Sequence, residues 1–176
     1  MKRIALTVAA AALLISTSAF AQSAGEKTGV NSALGISPTT ADFVKEVAMS
    51  DMTEIAAAKV GQERGKEKTF STQMIADHTK TSEELKSIVP ADTKAAIPAA
   101  LDSSSQSKID KLKNAKPDDF SSQFDSMQVS AHKDAVSLFE RYAKGGEDPK
   151  LKDWAGKTLP ALKHHLEMAQ NLGKKK

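Results

Sequence analysis

The chain has no cysteine, which removes disulfides, thiolate metal sites, cysteine nucleophiles and the lipidated cysteine of a bacterial lipoprotein. Aromatic residues are only 5% of the chain and no basic stripe runs between them, so a nucleic-acid partner has no footprint in the sequence. Beyond the first two dozen residues no apolar run approaches the roughly 20 residues that a membrane span requires. No segment alternates polar and apolar residues between hairpin turns, which argues against sheets. There is no Gly-x-Ser-x-Gly elbow, phosphate loop or dinucleotide fingerprint, and hydrolase, nucleotide and hydride-transfer chemistry therefore lack local support.

What is present begins with Met1-Lys2-Arg3, the apolar run Ile4 to Ile15 and the small residues up to Ala21, the order of a secretory signal. Cleavage after Ala21 is expected, giving a periplasmic or secreted protein without a transmembrane segment. The whole chain carries +3, from 25 basic and 22 acidic residues; loss of Lys2 and Arg3 leaves 23 basic residues and a net +1. Residues 22–38, rich in Ser, Gly and Ala, read as a flexible tether. Residues 39–173 form one domain of ordinary size, and 174–176 a basic tail.

The domain reads as four long helices. Thr39 to Asp42 spells a capping box, followed by Phe43, Val47, Ser50, Glu54, Ala58 and Gly61 at helical spacing, which predicts a helix over 40–63. Phe70, Met74, His78, Leu85 and Ile88 stripe a second over 66–89, ended by Pro90. Residues 90–117 hold three prolines and a serine cluster and read as a connection with one short helix. Pro117-Asp118-Asp119 opens a third helix that Gly145-Gly146 ends. Asp148 and Pro149 open a fourth, with Pro160 on its outer side. Two tight hairpins joined by one long connection match an all-α, ferritin-like four-helix bundle.

His78, His132 and His165 fall on the apolar stripes of three of these helices, and Glu54 on the stripe of the remaining one. Each loses hydration on burial, at about 1–3 kcal/mol or more without a partner. Imidazole nitrogen and carboxylate oxygen suit zinc, copper or iron. Asp77 beside His78 and Gln128 beside His132 are the candidate supporting partners. Counting about 1.5 Å per residue from each turn brings Glu54 and His132 level if the long connection crosses the bundle, with His78 close and His165 further off. The Glu-x-x-His pairs of di-iron bundles are absent, which argues against an iron store or oxidase of that type.

The segments Phe70 to Lys80, containing Asp77-His78, and Gln128-Val-Ser-Ala-His132, with Thr158-Leu-Pro160-Ala-Leu-Lys-His-His165-Leu166, resemble a bacterial ferritin-like family classed as a domain of unknown function. The resemblance covers about residues 38–173. It implies a secreted or periplasmic bundle whose recurrent polar residues are Glu54, His78, His132 and His165; such proteins are often labelled membrane or outer-membrane proteins. The leading expectation is an exported bundle that binds a transition metal through Glu54, His78, His132 and His165, with catalysis not required. The alternatives are a metal-free structural or stress-related interaction module with a buried polar layer, and a redox or peroxide-handling enzyme using the same ligands.

Overall fold

The computed structural model describes residues 29–65 and 67–174. The expected signal segment and the first part of the tether, 22–28, lie outside the described residues. Six α-helices account for most of the rest: α1 (Val30–Leu34), α2 (Thr40–Glu63), α3 (Lys68–Ile88), α4 (Ser103–Lys113), α5 (Pro117–Gly145) and α6 (Pro149–Leu172), with one 3-10 turn at Lys94–Ala96. No strand occurs among the described residues.

The helix starts follow from their caps. Thr39 Oγ1 accepts the Asp42 N–H at 3.1 Å, while its hydroxyl donates to the Asp42 carboxylate at 2.9 Å. Asp102 and Asp148 accept the N–H groups of Ser105 and Leu151 at 2.7 and 2.8 Å. Each supplies a partner to an amide that a helix start leaves free. Pro117 and Pro149 occupy first-turn positions, where a missing N–H costs nothing. Pro160 lies inside α6 with its ring exposed, and the helix runs through it to Leu172.

The tether expectation changes at its C-terminal part. Gly29 and Gly35, both at left-handed φ, bracket the turn of helix α1. Ser32 and Ser137 hydroxyls meet at 2.8 Å, and Arg141 donates to the Ile36 carbonyl at 2.7 Å. These polar links to α5 hold the segment, and composition alone does not report them.

The helices α2–α3 and α5–α6 form two antiparallel hairpins, and α2 also packs on α5 and α3 on α6, which closes a ring of four long helices. Arg64, at the end of α2, donates to the carbonyls of Lys113 and Ala115 just ahead of α5. Thr40, at the start of α2, bonds Tyr142 near the end of α5 at 2.8 Å. The two hairpin turns therefore lie at opposite ends, as a crossing connection requires. α4 within that connection packs on α2 and α5.

Two apolar clusters fill the interior. One gathers Phe43, Val47, Leu85, Phe139, Tyr142, Leu151, Trp154 and Leu162; the other gathers Ala57, Val60, Phe70, Met74, Phe120, Phe124, Ala169 and Leu172. On every long helix a buried polar residue separates the two: Asp51 and Glu54 on α2, His78 on α3, Gln128 and His132 on α5, His165 on α6. The core is thus cut at one level by a polar layer.

Candidate metal centre

The three histidine rings form a nearly equilateral triangle, with centroids 5.6 Å (His78–His132), 5.7 Å (His78–His165) and 5.6 Å (His132–His165) apart. Each ring is fixed through one nitrogen. His78 Nδ1 pairs with Asp51 Oδ1, His165 Nε2 with Asp77 Oδ2, and His132 Nδ1 donates to the Gln128 backbone carbonyl one turn back, all at 2.8 Å. Asp51 is itself held by the Ser82 hydroxyl at 3.0 Å, and Asp77 by the Gln73 amide at 2.6 Å. The opposite nitrogens, His78 Nε2, His132 Nε2 and His165 Nδ1, have no protein hydrogen-bond partner, and neither has either Glu54 oxygen.

The chemistry of that arrangement is one-sided. A carbonyl can only accept, so His132 carries its proton on Nδ1 and presents a lone pair at Nε2. An ionised carboxylate likewise takes the ring proton on the nitrogen facing it, so His165 and His78 present a lone pair at the opposite nitrogen in their neutral forms; His78, whose pKa is raised, must first give up its second proton to do so. One donor atom from each of the three rings lies within 4.8 Å of the others. Around a tetrahedral zinc two ligand nitrogens stand about 3.4 Å apart, as Zn–N lengths of about 2.0–2.1 Å require, so ring adjustments of about an ångström close the set. An imidazole oriented through its far nitrogen by a carboxylate or carbonyl is the usual support of a metal-ligating histidine. These residues could hold a metal ion.

Burial sets the electrostatics of the layer. Burial, helped by the charges of the other two histidines, pushes His132 down to about 3 despite its bond to the Gln128 carbonyl. Burial likewise lowers His165, with Asp77 opposing and the charge of His78 adding to the effect. For His78, burial disfavours the charge, but the hydrogen bond and charge of Asp51, with Glu54 and Asp77, raise its pKa on balance. Burial pushes Glu54 up to about 7, against the charge of His78 and the side-chain amide of Gln128. That amide lies near enough to favour the carboxylate, yet outside hydrogen-bond geometry. A positive ion beside Glu54 would relieve the cost of a buried carboxylate.

The structure rearranges the sequence expectation in four ways. His165 stands with the other two histidines and Glu54 does not belong to the close set, whereas depth counting paired Glu54 with His132. Turns are poor origins for such counts, because α5 has 29 residues and overshoots the 21–24 of its neighbours. Asp77 supports His165 across the α3–α6 seam, not its neighbour His78, because adjacent residues on a helix point about 100° apart. Gln128 supports His132 through its backbone, not its side chain. Asp51, the partner of His78, was missed. Its signal was the spacing Val47, Asp51, Glu54, Ala58, Gly61, a better core stripe than one drawn through Ser50.

No helix among the described residues is long and apolar enough to cross a membrane. No curated protein and no solved structure matches the chain. Residues 25–172, nearly all of the folded part, match the family described as Domain of unknown function (DUF4142), and the chain belongs to that family.

Proposed function

We propose that this chain is an exported, ferritin-like four-helix bundle that binds a transition metal ion (zinc, copper or iron) in its core for metal handling or sensing under stress. His78 Nε2, His132 Nε2 and His165 Nδ1 are the ligands, and Glu54 is the neighbouring carboxylate that balances the charge. The observation that carries this reading is the convergence of three unpartnered imidazole nitrogens whose opposite nitrogens are all tied to oxygen acceptors. Two hairpins joined by a crossing connection support the ferritin-like topology, and the Met1 to Ala21 pattern supports export. The donors, all nitrogen and carboxylate without thiolate, suit these metals better than calcium, which takes six to eight oxygens.

Metal analysis of protein purified from the periplasm without an affinity tag is the direct test. About one equivalent of metal in the parent, and its loss in a His132→Ala, His165→Ala double variant, is the expected result. Substoichiometric metal in both overturns the proposal and favours a metal-free polar layer that fixes helix register.

A further inference from the structure

Outside the polar layer, a groove of about 350 Å³ runs between α4 and α5, with Thr53 of α2 in its wall. It exists because α4 packs more extensively on α2 than on α5. Clefts that hold small molecules span about 300–1,000 Å³ and are mostly apolar with a few placed polar groups. This one fits that description at the lower end. Gln123, Met127, Ala131 and Asp134 line its α5 side at helical spacing, and Leu112 lines the α4 side. Lys108 and Lys111 stand beside Leu112 in the same wall, neighbours on one face of α4 by their spacing. Both are exposed, and neither makes a hydrogen bond or ion pair with another described residue. Asp134 lies eleven residues beyond Gln123, about 16 Å along α5. Only residues 114–116 join α4 to α5, which keeps Lys111 at the Gln123 end. The groove therefore has two free ammonium groups at one end, an apolar middle and a carboxylate at the other end.

We infer that this groove binds a single-headed amphipathic carboxylate of medium chain length, with its head at Lys108 and Lys111 and its chain over Leu112, Met127 and Ala131. The charge pattern selects the occupant. Two unpaired ammonium groups attract an anionic head and repel a cationic one, and lysine stems can extend the apolar wall while their charged ends stay in water. A neutral chain of the same length gains the apolar contact alone. Asp134 at the far end disfavours a second anionic head. The site is separate from the proposed metal centre, whose ligand atoms are buried in the core, so it stands or falls without that reading.

The probes are decanoate below its micelle concentration, decanol, and sebacate, the dicarboxylate of the same length. Each is titrated by calorimetry into chelator-stripped protein purified from the periplasm, which leaves no metal to capture a carboxylate. One saturable site for decanoate is expected. Its affinity falls about tenfold in the Lys108→Gln, Lys111→Gln double variant, the size expected from losing two exposed charge pairs, and returns in Lys108→Arg, Lys111→Arg. Both lysines are exposed, so these changes leave the fold in place. Sebacate binds less tightly than decanoate to the parent, and Asp134→Asn narrows that gap. Absence of saturable decanoate binding, equal affinity in the glutamine variant, or equal affinity for decanol overturns the inference.

Discussion

Glu54 stands in a core with no basic side chain bonded to it, and burial holds its pKa near 7. A carboxylic acid whose folded-state pKa exceeds its unfolded value, here 4.5, contributes stability that is complete below the unfolded pKa and is lost as pH rises through the folded one. In metal-free protein, Glu54→Gln therefore gains on the parent as pH climbs from about 4.5 to above 7, by something on the order of 3 kcal/mol. His78, His132 and His165, with Asp51 and Asp77, face the same layer and titrate in both proteins; because the Glu54 charge helps raise His78, the difference between the two curves reports Glu54 together with its coupling to His78. His132 works in the opposite sense: lowered to about 3, it takes stability away as pH falls below about 6.5. Denaturant unfolding from pH 4 to 8 in excess chelator reads the difference, and parallel curves contradict the burial cost assigned to Glu54. Adding metal should bring the curves together in reverse, since only the parent places a negative charge beside the ion.

At the level of single helices, close approach matters more than propensity at one point. Gly61 lies inside α2, where glycine costs about 1 kcal/mol relative to alanine. A Cβ there would run into Ser71 Oγ and come within 3.0–3.1 Å of the Phe124 ring, so glycine lets α2 approach both α3 and α5. Gly61→Val should destabilise the protein by about 1–3 kcal/mol through overpacking, read as a lower denaturant midpoint at unchanged slope; a neutral or stabilising result contradicts the close approach. Much of this level was legible in the sequence. Thr39, Asp148, Pro117 and Pro149 carry local cap chemistry, and they placed the starts of α2, α5 and α6 where the structure has them. The apolar stripes found His78, His132, His165 and Glu54 because burial has a helical period. Partnership across helices has no such period. Asp77 lies next to His78 in sequence and reaches His165 in space, 88 positions away, and Asp51 reaches His78 over 27. The anchoring of α1 on α5 through Ser32 and Arg141 was illegible for the same reason.

For the whole molecule, the polar layer divides what would otherwise be one continuous apolar core. Phe43 stacks on Tyr142 with centroids 3.9 Å apart on one side of it, and Phe70 meets Phe124 edge-on at 6.1 Å on the other. Each half can pack on its own terms, while the layer between them is left with one unpartnered nitrogen on each of the three imidazoles, both Glu54 oxygens and the Gln128 side-chain amide. A bound cation would join the two halves through ligands on three of the four long helices, α3, α5 and α6. It would stabilise the folded chain by mass action, by about 2.7 kcal/mol when free metal is a hundredfold above its dissociation constant. In the proposed centre three imidazoles from three helices ligate one ion. X-ray absorption at the zinc edge, on chelator-stripped chain reloaded with one equivalent of zinc, tests it most directly. A nearest shell at about 2.0–2.1 Å with the multiple-scattering pattern of three imidazoles is expected; a shell of oxygens without imidazole scattering would overturn the assignment.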